Sequence, residues 1–158
     1  MRLSLGTGFS FGLTSGIITT LGLMVGLHSG THLETAVVGG ILTIAIADAF
    51  SDALGVHVSQ EYQDKHAQRS IWEATVSTFF TKLVVALTFI VPVLLFDLLL
   101  AVVISIIWGL SLLSLFSYII ARREKNDPKK VVLEHLVIAL IVIVIAHFVG
   151  DGSAQVFG

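Results

Sequence analysis

The sequence predicts an all-α integral membrane protein, a bundle of five transmembrane helices that forms one domain over residues 1–158. Two observations support this fold class. Of the 158 residues, 55% are hydrophobic and only 13% are charged, whereas a soluble domain carries about a quarter charged residues. The apolar residues also form long runs, and a run of about 20 matches the roughly 30 Å hydrocarbon core of a bilayer. Only helices and closed barrels satisfy their backbone polar groups in lipid, so each run predicts a helix.

Five apolar runs predict five membrane spans. The third and fourth runs are nearly continuous, and Pro92 followed by Asp97 predicts a tight helical hairpin between them, with Asp97 at the membrane surface. Without that turn, about 45 apolar residues would exceed the thickness of the bilayer. Polar linkers cover 59–75 and 121–130. The predicted spans are about 9–27, 35–58, 76–96, 98–120 and 131–150.

The distribution of basic residues predicts an inside amino terminus and an outside carboxyl terminus. Short cytoplasmic loops are rich in lysine and arginine, and both linkers lie on one side because two spans separate them. Arg2 precedes the first span on that same side, and Lys82, just inside the third span, is expected to extend its amine to the cytoplasmic surface. The basic residues of the linkers are Lys65, Arg69, Arg122, Arg123, Lys125, Lys129 and Lys130.

Asp48 and Asp52 are the most costly polar residues of the predicted spans. Their four-residue spacing places both carboxylates on one face of the second helix, about 6 Å apart. One central aspartate costs roughly 2.5–3.5 kcal/mol on insertion scales, and mutual repulsion adds to this cost unless the pair shares a positive charge. A proton or a metal cation meets that need, so the pair is a candidate metal site and carrier of coupled protons. The alternative is a structural aspartate that hydrogen-bonds a neighbouring helix.

The first span offers a surface that could face these carboxylates. Ser15, Thr19, Gly22 and Gly26 form one stripe, and the hydroxyls of Ser15 and Thr19 are candidate metal ligands. Gly12 and Gly16, like Gly22 and Gly26, are small residues four apart, which allow two helices to approach closely. Packing is the favoured interpretation for the glycines, and Ser15 and Thr19 can instead hydrogen-bond their own backbone.

Histidines and acids near both ends of the spans are candidate entry or exit sites for a metal. His57 and Glu61, followed by Asp64 and His66, lie where the second span leaves the membrane on the inside. A similar group lies at the opposite end and consists of His28, His32 and Glu34. For each of these residues, a solvated surface position is the favoured alternative. His147, in the fifth span, is expected to be a packed or interfacial histidine rather than a ligand.

The sequence does not predict an enzyme. It contains no phosphate-binding loop, nucleophile elbow, dinucleotide fingerprint or HExxH motif. It contains no cysteine, which excludes disulfides and thiolate ligands, and its net charge of −2 does not indicate nucleic-acid binding. No permanently bound cofactor is expected. Without a nucleotide site, ion gradients would have to drive any transport.

Two segments, in the first and second predicted spans, carry a family resemblance. Residues 15–26, SGIITTLGLMVG, resemble the first-helix signature of the vacuolar iron transporter family, Asp-Gly-(Leu/Ile)-Val-x-Thr followed by a later glycine. Residues 47–55, ADAFSDALG, are similar to its alanine-rich second helix, which ends in Ser-Met-x-x-Gly-Glu-Tyr. Pro92 and the closing run 139–150 match further features. The resemblance implies five helices, a homodimer, and exchange of Fe²⁺ or Mn²⁺ for protons along a route between the first two helices of both subunits.

The chain departs from that family pattern at its polar positions. The family's first-helix aspartate falls on Ser15, its second-helix methionine on Asp52 and its glutamate on Val56, beside His57. The stretch 59–72 is also too short and too poor in acids to match the metal-binding segment of the family's longer members. A soft thioether ligand is thus replaced by a carboxylate, which suits harder divalent ions.

Three hypotheses follow for function. The first is a homodimeric, proton-coupled carrier of Fe²⁺ or Mn²⁺ in which Asp48 and Asp52 are central. The second is a non-transporting membrane scaffold or partner-binding subunit with structural aspartates. The third is a transporter of another cation. A short chain with minimal loops suits a multi-pass protein of a prokaryotic plasma membrane.

Overall fold

The residues of the apolar runs form long α-helices. The structure is a computed structural model that describes residues 3–63 and 68–157, and these ranges contain no β-strand. The helices are α1 (Leu3–Thr31), α2 (Glu34–Gln63), α3 (Gln68–Thr88), α4 (Ile90–Leu95), α5 (Leu98–Arg123) and α6 (Pro128–Phe157). Five helical segments are long and apolar enough to cross a membrane, with α3 and α4 forming one of them. The predicted helical class is confirmed, as is the expectation of five helical segments with the length and apolar character of a membrane span.

The helices extend beyond the apolar runs. Much of the expected linker 59–75 is helical, because α2 continues to Gln63 and α3 begins at Gln68. Within 121–130, only residues 124–127 lie outside a helix. Hydropathy marks where a chain leaves lipid, whereas helical hydrogen bonds continue into the polar segments. Asp64 and His66, which follow the candidate entry or exit residues His57 and Glu61, lie outside the described residues.

The expected hairpin lies at Phe96 and Asp97. Asp97 caps α5, since its carboxylate accepts a hydrogen bond from the backbone N–H of Leu100 at 3.2 Å. The preceding span is interrupted at Phe89, between α3 and α4. Pro92 lacks the N–H that would bond the Thr88 carbonyl four residues earlier, which weakens the helix at that point. The turn predicted from Pro92 and Asp97 is confirmed.

Helix α1 lies at the centre of the bundle and contacts α2, α3, α5 and α6. Its glycines lie against two different neighbouring helices. A Cβ atom on Gly12 would lie 2.6 Å from the carbonyl oxygen of Thr78 in α3, and one on Gly22 would lie 3.0 Å from a methyl group of Val142 in α6. These glycines therefore allow close helix packing, as the sequence predicted.

A row of buried residues on α3 faces both α1 and α2. Ala74, Thr78, Lys82 and Ala86 are buried at four-residue intervals along α3. Because residues four apart share one helix face, this row places Lys82 between the helices rather than at the lipid surface.

Candidate functional site

Lys82 joins the two carboxylates that the sequence singled out. Its amine forms ion pairs with Asp48 and Asp52 of α2 and also hydrogen-bonds Asp52. The Lys82 side chain is 1% exposed, whereas those of Asp48 and Asp52 are 28% and 20% exposed. A buried ammonium group thus supplies the positive charge that two neighbouring aspartates need.

The expectation that Lys82 extends to the cytoplasmic surface is wrong. Lys82 lies 14 residues after the start of α3 at Gln68, which corresponds to roughly 21 Å along the helix. Its side chain is buried, and its amine pairs with two carboxylates of α2 instead of extending to a surface of the bundle. Ionisable groups inside a membrane bundle pair with each other because an unpaired charge is costly there.

Ser15 completes the cluster from α1. Its hydroxyl donates to Asp52 Oδ2 at 2.6 Å and accepts from the Lys82 amine at 2.9 Å. We call Ser15, Asp48, Asp52 and Lys82 the polar cluster. Thr19, the other candidate hydroxyl ligand of α1, instead donates to the backbone carbonyl of Ser15 at 2.8 Å. The structure therefore brings Ser15 to the aspartates and leaves Thr19 in its own helix.

The cluster carries an unbalanced charge. Two carboxylates and one ammonium group give a formal net charge of −1 when all three are ionised. Asp52 receives hydrogen bonds from Ser15 and Lys82, while Asp48 meets the amine as an ion pair. The cluster links α1, α2 and α3, and its excess charge can attract a further cation.

Helix depth was the signal that could have identified Lys82. Asp52 lies eleven residues before the end of α2 at Gln63, roughly 16 Å along the helix, and Ser15 lies twelve residues, roughly 18 Å, after the start of α1. Lys82 has a similar depth from the same end of the bundle. Position along the helix, read together with the need for charge pairing, matches the three residues. Hydropathy alone does not match Lys82 to the other two residues.

A cavity of about 870 Å³ reaches the polar cluster from one end of the bundle. It lies between α1, α2 and α3, and Asp52 is one of its lining residues. Other polar groups line the walls towards the helix ends, namely Ser4, Thr7, Ser59, Gln60, Gln63 and Ser70. We call this space the Asp52 cavity.

The expected entry residues at that end do not form a joint site within the described part of the chain. The His57 ring hydrogen-bonds the hydroxyl of Thr75 at 3.0 Å and packs edge-on against Trp72. Glu61 is exposed, and neither His57 nor Glu61 lines the Asp52 cavity. His57 thus has a packing role between α2 and α3.

At the opposite end, the expected group His28, His32 and Glu34 is only partly assembled. The rings of His28 and His32 lie 5.4 Å apart, but Glu34 is an exposed residue at the start of α2. His147 of α6 lies here as well. Its Nδ1 is 2.5 Å from the Ser29 hydroxyl and its Nε2 is 3.7 Å from Asp151, while 51% of its side chain is exposed, so it contacts α1 without being packed in the core.

His28, His32 and His147 line a second cavity of about 610 Å³ between α1, α5 and α6. Neither Asp48 nor Asp52 lines it. Across residues 3–63 and 68–157, no three histidine, cysteine, aspartate or glutamate side chains form a group that could hold a metal ion. A metal bound at Asp48 and Asp52 would therefore need further ligands of another kind, or from another molecule, because no third histidine, cysteine, aspartate or glutamate of the described residues joins them.

No protein-family model, curated protein or solved structure matches this chain. The resemblance to vacuolar iron transporters stays a prediction based on the two helical segments.

Proposed function

We propose that the chain is a membrane carrier of small cations, with Asp48 and Asp52 as the residues that receive the cargo. The observation that carries this proposal is the polar cluster, which has two carboxylates for one ammonium group and lies at the Asp52 cavity. Charged groups inside a membrane bundle are costly and commonly belong to ion pathways or proton relays.

Fe²⁺ or Mn²⁺, exchanged for protons, is the cargo that the family resemblance implies. Carboxylate and hydroxyl oxygens suit such ions. Lys82 adds a condition, because its amine already occupies Asp52 Oδ2. The arriving cation must share the carboxylates with that amine or displace it.

We also propose that the carrier is a homodimer. One face of α2 presents small residues at every fourth position, and every one of them is exposed in the protomer. Such a face allows close approach of a second helix, and a twofold axis beside it would bring two copies of Asp48 and Asp52 together. We call this face the α2 stripe, and it consists of Thr35, Gly39, Thr43, Ala47, Ser51, Gly55 and Ser59.

The proposed setting is a prokaryotic plasma membrane with the amino terminus inside. Arg122, Arg123 and Lys125 lie where α5 ends and the next turn begins, at the same end of the bundle as the start of α1. Positively charged loops favour the cytoplasmic side. The Asp52 cavity opens at this end, so its mouth would face the cytoplasm.

Metal flux into proteoliposomes under a pH gradient tests the proposed function. We expect Mn²⁺ flux in the wild-type protein and at least a tenfold loss with Asp52→Asn or Asp48→Asn, because each substitution removes one of the two cargo carboxylates. Glu61→Gln is the matched control, since it removes an exposed acid away from the Asp52 cavity. Undiminished flux in both aspartate variants would contradict the proposal. Inhibition of Mn²⁺ flux by added Na⁺ or Ca²⁺ shows whether either ion competes with Mn²⁺ as cargo.

A membrane scaffold is the second candidate function, and the contacts of Lys82 favour it. The amine ties α3 to Asp52 of α2 and to Ser15 of α1, as a purely structural ion pair would. This role predicts no flux of any cation and no increase in thermal stability when Mn²⁺ is added. A ligand that binds only the folded protein must raise that stability.

A further inference from the structure

The geometry points to the Asp52 cavity as a water-filled path that admits hydrated cations from one end of the bundle and ends at Asp52. The identification of cations as the solute rests on the proposed function; the water-filled path does not. The path has walls from three helices of one protomer, α1, α2 and α3, and its wall at Ser51, Gly55 and Ser59 reaches the protomer surface.

Eight of the twelve residues that line the cavity have polar side chains, and Phe11, Val56 and Ile71 add apolar wall between them. On α2, polar or small residues follow each other from Ser51 and Gly55 to Ser59 and Gln63, a distance of roughly 18 Å. Ser4 of α1 and Ser70 of α3 stand opposite, near the beginnings of their helices. A polar space with several hydrogen-bonding partners holds water, whereas an apolar one stays dry.

The path is closed beyond the polar cluster. The buried face of α2 continues from Ala45 to Ile41 and Val37, all 0% exposed. The cavity at the other end lies between α1, α5 and α6 and does not include an aspartate of α2. About half of α2 therefore has a polar route to one end, and the other half packs in an apolar core.

The inner end of the path presents carboxylate rather than ammonium. The Asp52 side chain is 20% exposed and lines the cavity, whereas Lys82 is 1% exposed and does not. A cation that enters thus meets the negative partner of the ion pair first. A cleft whose end carries net negative charge concentrates cations and excludes anions.

Thiol labelling tests the path directly, because the chain contains no cysteine of its own. Ser51→Cys places a thiol on the cavity wall next to Asp52. Thr43→Cys is the matched control, since Thr43 is exposed on the same α2 stripe but does not line the cavity. Thr43 lies nine residues from the nearer end of α2, and Ser51 lies twelve. Depth alone would therefore make Thr43 the more reactive position.

The probes are two methanethiosulfonate reagents of similar size, one with a trimethylammonium group and one with a sulfonate group, applied to the full chain in lipid nanodiscs. We expect Ser51→Cys to react at least tenfold faster than Thr43→Cys with the cationic reagent. For Ser51→Cys we also expect the ratio of the rate with the cationic reagent to the rate with the anionic reagent to be at least fivefold higher than the same ratio for a small thiol in solution. Adding Asp52→Asn should reduce that preference.

Equal rates at Ser51 and Thr43 would overturn the water-filled path, and a preference for the anionic reagent would overturn its charge selectivity. If Ser51→Cys does not fold, Gly55→Cys reports on the same wall, because a side chain there meets no atom within 4 Å. Fast, cation-selective labelling without metal flux would refute the carrier and leave the path intact. Flux without labelling would refute only the path.

Discussion

At the scale of single residues, the decisive feature is the unequal number of charges in the polar cluster. Neutralising one aspartate leaves one carboxylate and one ammonium group. Removing the amine leaves two carboxylates without a counter-ion. Loss of one partner from a buried ion pair is strongly destabilising because the remaining charge is uncompensated. The three charged residues are therefore not equivalent.

We predict that Lys82→Met lowers the free energy of unfolding most, by about 3–5 kcal/mol. Asp52→Asn should cost less, and Asp48→Asn least, because Asp52 has hydrogen bonds from both Ser15 and Lys82 whereas Asp48 has only the ion pair. Thermal unfolding in detergent measures this order. Lys129→Met is the control, as Lys129 is exposed. Equal stability of the two lysine variants would show that the amine does not hold the helices together.

The sequence predicted only part of this cluster. The four-residue spacing of Asp48 and Asp52 and the position of Ser15 were visible in the primary structure, and the structure brings all three together. Lys82 was misinterpreted because one lysine near the end of an apolar run is usually assigned to the surface. Its place depends on which face of α3 contacts α2, and this contact is not encoded locally.

At the scale of helices, the glycines of α1 determine how closely its neighbours approach. Gly12 lies against the backbone of α3, and an added Cβ would lie 2.6 Å from the Thr78 carbonyl oxygen. Gly39 of α2 has open space, with no atom within 4 Å of such a Cβ. The two glycines therefore respond differently to the same substitution.

We predict that Gly12→Ala destabilises the protein by about 1–3 kcal/mol, the usual cost of overpacking. Gly39→Ala should be neutral or stabilising, since alanine is favoured over glycine in helices by about 1 kcal/mol. The opposite signs make the comparison informative, and thermal unfolding of both variants measures it. A Gly12→Ala protein as stable as Gly39→Ala would contradict the close approach of α1 and α3.

The helices themselves were the most predictable part of the fold. Apolar runs of bilayer length gave their number, and Pro92 with Asp97 gave the hairpin, because these signals are local in sequence. Helix ends were less predictable, since α2 and α3 continue through polar residues. The order in which helices pack around α1 depends on contacts between distant segments, which periodicity does not determine.

At the scale of the whole molecule, the α2 stripe and the polar cluster lie on adjacent parts of one helix. Ser51 and Gly55 belong to the stripe and also line the Asp52 cavity. In the proposed dimer, the partner subunit would therefore cover the lipid side of that cavity. Assembly and access to Asp52 are then connected through the same surface.

We predict that Gly39→Leu converts the dimer to a monomer, because a large side chain in the α2 stripe prevents close approach of two helices. The protomer should stay folded, since Gly39 has open space around it. Light scattering in detergent gives the mass of the assembly. Gly152→Leu is the control, as Gly152 also has open space but lies in α6. A dimer that survives Gly39→Leu would have its interface elsewhere.

The polar cluster also restricts how this protein can change in evolution. Its members lie on three helices that are far apart in the chain, yet both carboxylates depend on the same buried ammonium group. A lineage that loses Lys82 first would inherit two unpaired carboxylates, whereas one that first loses Asp48 keeps a neutral pair. Descendants that stay folded should therefore exchange these residues in a fixed order, with an aspartate replaced before the lysine.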